Sequence, residues 1–159
     1  MHPRGLSAAC AALLIIASVT VTLGQRGVPF RGSRDHPAIA YSTGTAQNGI
    51  TALNQKLREG LVKLEARGSS GYLRSVLAAL DISLTSQVAV FSPTSFQARL
   101  INSENPRVIY FSDSVAVAWV RGGDILEVAA QDRQQGVLFY TLDQNESNTP
   151  QFHRNDSCL

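Results

Sequence analysis

The chain has 159 residues, 44% of them apolar and 16% charged, which excludes an intrinsically disordered protein and leaves room for one domain. Fourteen basic residues stand against 12 acidic ones, and losing Arg4 with the leader described next leaves a net charge of +1. Charge so evenly balanced argues against a nucleic-acid or anionic-membrane partner.

A leader opens the chain. Arg4 gives a positive start, residues 6–21 are apolar or small around Leu13-Leu14-Ile15-Ile16, and Thr22 and Gly24 place small residues three and one positions before a cut at Gln25. The run falls short of the roughly 20 residues a membrane span needs. Residues 1–24 are therefore predicted to be a cleaved signal peptide, an uncleaved anchor being the alternative. No later segment is apolar enough to span a bilayer. The mature protein is expected outside the cytoplasm, secreted or periplasmic. Cys10 lies inside the apolar run and is badly placed for a lipoprotein cysteine, so cleavage leaves Cys158 alone. A lone thiol in an oxidising compartment has three explanations: a free thiol at a frayed end, half of an intermolecular disulfide, or a cysteine whose partner lies in sequence beyond Leu159.

Residues 25–46 carry Gly27, Pro29, Gly32, Pro37 and Gly44 and read as an extended lead-in, with a short strand expected within 35–41. Residues 48–59 are predicted helical, with Ile50, Leu53 and Leu57 on one face, Asn48 or Thr45 as the cap and Gly60 as the stop. Residues 61–65 alternate, Val62 and Leu64 against Lys63 and Glu65, and read as a short strand. A second helix is expected over 72–80, burying Leu73, Val76, Leu77 and Leu80 and ended by Asp81. Residues 87–91 form a strand before the Ser92-Pro93-Thr94 break, and 96–101 fit either a helical turn or a strand. Four β-rich runs follow, 107–111, 115–121, 124–130 and 137–142, the middle two joined by Gly122-Gly123, a two-residue hairpin signal. Together these elements predict an α+β fold, two amphipathic helices packed on an antiparallel β-meander. The domain is assigned to 47–143, and the polar stretch 144–159 to a linker leaving it.

Enzyme signatures are absent: no nucleophile elbow, P-loop, dinucleotide fingerprint or H-E-x-x-H occurs. His36, before a proline, reads as a surface histidine. His153 stands five residues before Cys158, and a catalytic pair of the two needs a proximity and an activating environment that the sequence does not supply. Asp113, Asp124, Asp132 and Asp143 fall at turns or strand ends, where the side chain bonds nearby backbone; a metal site built from them is the lesser reading. Asn145-Glu146-Ser147 and Asn155-Asp156-Ser157 match the N-glycosylation triplet, which matters only in a eukaryotic source. No catalytic residue and no metal ligand is assigned.

Longer stretches carry a resemblance. Pro106-Arg107-Val108-Ile109-Tyr110-Phe111-Ser112-Asp113 leads into Val115-Ala116-Val117-Ala118-Trp119-Val120-Arg121-Gly122-Gly123; Glu127 to Asp132, Gln135 to Gln144 and Pro150-x-Phe152-x-Arg154 follow. With residues 35–41, 71–73 and 86–87, these resemble a family of exported bacterial proteins that carry c-type cytochrome motifs, over most of the chain after the leader. In that family the Pro-x-Phe-x-Arg stretch runs into Cys-x-x-Cys-His. Cys158 and Leu159 match the first two positions of the motif; the second cysteine and the histidine are not in this sequence, which implies truncation inside the motif. In a complete motif two thiols bond the haem vinyl groups and the histidine binds the iron. The resemblance thus implies that Cys158 is a haem-thioether cysteine, that haem c belongs to the full-length protein rather than to this stretch alone, and that the role is electron transfer or redox sensing with an unidentified redox partner. The alternative is an extracytoplasmic binding or scaffold module. A haem-dependent oxidoreductase activity is a third reading.

Overall fold

The computed structural model describes residues 35–145 and 149–156, so the expected signal peptide, the first part of the lead-in and Cys158 lie outside the described residues. Among the described residues two helices, α1 (Gly49–Arg58) and α2 (Leu73–Ala79), precede six strands: β1 (Val88–Val90), β2 (Arg107–Phe111), β3 (Val115–Val120), β4 (Ile125–Asp132), β5 (Gly136–Asp143) and β6 (His153–Asn155). The strands lie in the sheet in chain order, every neighbour antiparallel. The fold is α+β, two helices with an antiparallel meander. Among the described residues no helix is long and apolar enough to cross a membrane.

Local chemistry sets the element ends. Asn48 caps α1: its Oδ1 accepts from the backbone of Ile50 and Thr51 at 3.0 and 3.1 Å, while Thr51 Oγ1 accepts from the Asn48 amide at 3.0 Å. After α2 the chain turns at Asp81, φ +54°, a left-handed position that aspartate tolerates better than most side chains. Residues 61–65 do alternate in burial, with Val62 and Leu64 packed on the core, yet among the described residues no strand pairs with them. Instead the Ser75 hydroxyl of α2 takes both the amide and the carbonyl of Glu65, at 3.1 and 3.0 Å. Residues 96–101 resolve into a short helical turn, Ala98–Leu100. Residues 35–41 form turns rather than the expected strand, because the carbonyl of His36 collects the amides of Ile39 and Ala40, both at 2.8 Å.

Ile50, Leu53, Leu73, Val76 and Leu77 of the helices meet Val115, Val117, Leu126, Val128, Ala130, Leu138, Tyr140 and Leu142 on one sheet face. Register explains the set: Val117, Val128 and Tyr140 lie opposite one another, as do Val115, Ala130 and Leu138. Leu126, Leu138 and Leu142 are fully buried, each contributing roughly 1.5–3 kcal/mol by leaving water.

The sheet does not end at Asp143. Phe152 is 3% exposed within the core, and Asn54 of α1 binds its backbone twice, Nδ2 donating to the carbonyl at 2.8 Å and Oδ1 accepting from the amide at 2.9 Å. β6 then pairs with β5 through Phe139–Asn155 and Thr141–His153. Within the stretch expected to leave the domain as a linker, His153–Asn155 is the last described strand of the sheet.

One network ties the described part of the lead-in and β6 to the β4–β5 turn. The Asp132 carboxylate accepts from the amides of Gln134 and Gln135 at 2.9 and 3.0 Å and from Gln47 in the lead-in at 2.6 Å. Arg154 of β6 donates to Gln135 Oε1 at 3.1 Å and to the Tyr41 carbonyl, and stacks on the Tyr41 ring at 5.0 Å. Burial opposes ionisation of Asp132, but the three amides and the Arg154 charge overcome it and hold its carboxyl below the ordinary value. A lowered folded-state pKa contributes stability that is complete above the unfolded value and is lost as the pH falls towards the folded one. Asp132→Asn is expected to be about 1–3 kcal/mol less stable at neutral pH. Its stability is also expected to fall less steeply than the wild type's below pH about 4. Urea unfolding between pH 6 and pH 3 measures both; parallel acid slopes in the two proteins would remove Asp132 from this role.

Candidate functional site

The second face of the sheet, opposite the helices, is the candidate site. It is built from the alternate residues of each strand: Val88 and Val90 of β1; Arg107, Ile109 and Phe111 of β2; Ala116, Ala118 and Val120 of β3; Ile125, Glu127 and Ala129 of β4; Val137, Phe139 and Thr141 of β5; and His153 and Asn155 of β6. A half-solvated antiparallel sheet normally alternates apolar and polar residues. Here β3 reads Val-Ala-Val-Ala-Trp-Val with no polar residue at all, so both of its faces are apolar.

The loop over residues 92–101 covers one end of this face. Its foothold is a buried ion pair, Arg107 and Glu127 at 3.3 Å, whose side chains are 10% and 1% exposed. Glu127 also accepts from the Ser95 hydroxyl at 2.7 Å and from the Phe96 amide at 2.9 Å, and Arg107 donates to the Thr94 carbonyl at 2.5 Å. Beside the pair, the Gln97 side chain bonds the carbonyl and amide of Ile125 at 3.1 and 3.4 Å. A Cβ on Gly123 would displace the Gln97 amide from this position, so glycine permits the close approach. That engagement also corrects the expected two-residue hairpin. The β3 and β4 strands stop at Val120 and Ile125, and a four-residue turn carries Gly122 at φ +75°.

The other end is open. Ala116, Ala118 and Ala129 form a floor on the two central strands, with Phe139 of β5 on one side and Ile109 and Phe111 of β2 on the other. A depression of about 160 Å³ runs over this floor up to Arg107 and Glu127. Phe111, Val88 and Val137 at its margins are 48%, 46% and 45% exposed. Phe139 and Ile109 stand three strand spacings apart, about 14 Å. The charges of Arg107 and Glu127 offset each other, so the trough offers shape and apolar surface and little net field.

The residues singled out from sequence do not converge. Asp113 and Asp132 lie at one end of the meander, Asp124 and Asp143 at the other, so the four cannot share an ion. Among the described residues no three of His, Cys, Asp and Glu gather as a metal site. His36 accepts the Ala38 amide on Nδ1 at 3.2 Å in an exposed turn. His153 is exposed, and its register with Thr141 puts it on the open face. Asn155, in one glycosylation triplet, donates to the Thr141 hydroxyl at 2.9 Å. Tyr140, across the sheet in the core, has its hydroxyl held above the ordinary value by burial, against the Asn48 amide that donates to it at 2.9 Å. Cys158 lies outside the described residues. The ion pair and the trough went unread in the sequence, although Glu127 inside the run Ile125-Leu126-Glu127-Val128-Ala129-Ala130 marks a carboxylate that its neighbours would bury. Comparison with family models, curated proteins and solved structures finds no match to this chain.

Removing one partner of the buried pair strands the other charge together with the donors of the loop. Glu127→Ala is expected to cost about 3–5 kcal/mol, whereas Arg107→Met with Glu127→Leu costs far less because no charge is left behind. Denaturant unfolding of the three proteins decides the matter, and equal losses in the single and double variants would contradict it.

Proposed function

We propose that this domain is the front module of an exported c-type haem protein, with Cys158 as one of the thioether cysteines and with electron transfer or redox sensing outside the cytoplasm as its role. The observation that carries the reading is how firmly the segment before Cys158 is held. Phe152 is in the core, Asn54 binds its backbone twice, β6 pairs with β5, and Arg154 is tied to Gln135 and Tyr41. Cys158 follows Asn155 by three residues. A cofactor anchored so close to a paired strand is held at a fixed place on the module, which electron transfer over a defined distance requires and a free tether does not provide. The resemblance of residues 106–154 to exported proteins with C-x-x-C-H motifs supports the same reading, as does the leader. Haem, once bound, supplies a one-electron couple; the chain's own part is to anchor it and position it. The redox partner is a protein, not nucleic acid, in keeping with the balanced charge.

A second reading, a binding or scaffold module with no haem role, draws on the apolar open face, which a purely structural sheet would not need to expose.

The full reading frame, expressed with a signal peptide in a host that matures c-type cytochromes, is expected to carry haem that stays attached through a denaturing gel and gives a pyridine-haemochrome spectrum. Cys158→Ala is expected to lose most of that covalent haem. A frame that supplies no second cysteine and histidine, or a product without attached haem, leaves the scaffold reading.

A further inference from the structure

We propose that the outer edge of β1 pairs with the same edge of a second copy of this chain, antiparallel about a twofold axis at Ala89, so that two sheets join into one. The two edges of the sheet differ. At β6 every residue, His153, Arg154 and Asn155, is polar, and a charged edge resists pairing with another chain. At the other edge, among the described residues, no strand lies beyond β1. The stretch from Ile82 to Ala98 that contains β1 holds no Asp, Glu, Lys or Arg. Gln87, Val88, Ala89 and Phe91 are exposed there. Leu84, Val88, Phe91 and Phe111, half of the large apolar side chains that stand exposed among the described residues, gather on β1, beside it and on its partner strand.

The backbone of β1 is set for such a partner. The Phe111 amide donates to Ser86 Oγ at 3.0 Å, so the polar groups of Phe111, and with them those of Ile109 and Arg107, face β1. Their partners Val88 and Val90 face back, which leaves the N–H and C=O of Ala89 directed away from the sheet. A twofold axis at Ala89 sets Ala89 against its own copy and Gln87 against Phe91, and each such pair exchanges two hydrogen bonds. Val88 then stands opposite Val90 of the copy, on the open sheet face, and the methyl of Ala89 leaves the two strands room to close on the other.

Charge and area favour a second copy over a foreign strand. A partner chosen by charge finds nothing to read at this edge, whereas an uncharged strand is complementary to itself. The whole chain carries 14 basic and 12 acidic residues, so two copies meet with little net repulsion. Phe91 and Phe111 are 57% and 48% exposed, which leaves each about 100 Å² to bury. With Leu84 and Val88, two copies withdraw roughly 600 Å² of apolar side chain besides the strand backbone, a contact of about 1,000 Å² in the small, reversible class. The axis uses the β1 edge of both copies and the polar β6 edge ends the joined sheet, so association closes at the dimer.

The test is sedimentation equilibrium of the exported full chain over a concentration series. Reductant is present throughout, so that a Cys158 disulfide does not count as association. The variants are Ala89→Lys, Ala89→Glu and, as a control 72% exposed away from the sheet, Leu61→Glu. The wild type and the control are expected to form the same reversible dimer. Each Ala89 variant alone is expected to dissociate about tenfold more readily, because like charges then stand directly opposite one another. An equimolar mixture of the two is expected to return to within about threefold of the wild-type constant, because lysine then faces glutamate. A wild type that stays monomeric up to about 1 mM overturns the proposal. So does a dimer that neither Ala89 variant weakens, and so does a mixture as weak as its components, since the two residues 89 then do not meet. If thermal unfolding shows that a charged variant melts early, Ala89→Pro replaces it: proline removes only the outward N–H of an edge strand and is expected to weaken the dimer by about tenfold as well, an unchanged dimer overturning the pairing.

Discussion

A β-sheet has two faces, and among the described residues helices cover only one. The helices α1 and α2 have ten and seven residues and bury their apolar stripes against Val117, Val128, Leu138 and Tyr140. The far face nevertheless carries valine, alanine, isoleucine and phenylalanine over its central strands, beside Arg107 and Glu127. That mismatch organises the rest of the molecule. Half of the face is closed by the loop over residues 92–101, and a loop has few apolar side chains with which to hold itself down. It is fastened by a carboxylate: Glu127 projects from the middle of β4 and gathers a hydroxyl, an amide and a guanidinium. The ion pair adds little net stability over an apolar pair of the same shape. It selects one position of the loop, because any other leaves a charge unmet.

A second carboxylate performs the same service for the chain ends. Asp132 ties Gln47 of the lead-in to the β4–β5 turn, and Arg154 on β6 reaches the same turn through Gln135. The two ends of the described chain thus meet at one corner of the sheet. The proposed cofactor-bearing segment leaves from that corner, so the polar knot, and not the apolar core, fixes its point of departure.

The sequence revealed the parts of the fold that are governed by local pattern. Both helices were legible from 3.6-residue periodicity and from Asn48 and Asp81 at their ends, and β2 to β5 from unbroken β-rich runs between turn residues. β6 was not, because His153-Arg154-Asn155 has no strand propensity of its own; its conformation is imposed by Phe152 in the core and by Asn54 ninety-eight positions away. Residues 61–65 failed the other way: alternation marks which side chains turn inward, but a strand also needs a neighbour, and the partner there is a serine hydroxyl. Of the candidate site, the apolar far face was written in β3, whose six residues include no polar one. The trough was not legible, since it depends on which residues of four strands fall in one row. Cys158 was singled out by cysteine arithmetic and by resemblance, and it lies beyond the described strands.

Chain-order pairing of the six strands has a kinetic side. From β2 to β5 each strand finds its neighbour a few residues away, so the centre of the meander forms through short closures, each with a small entropic cost. The contacts that join the early part of the chain to the sheet are of another kind: Gln47 to Asp132, Asn48 to Tyr140, Asn54 to Phe152 and Tyr41 to Arg154 close loops of 85 to 113 residues. Three of these four run to β5 or to the segment around β6, which are synthesised after both helices. The amino-terminal helix must therefore wait, its apolar stripe uncovered, until the carboxy-terminal strand arrives, and that interval of exposure belongs to this order of elements.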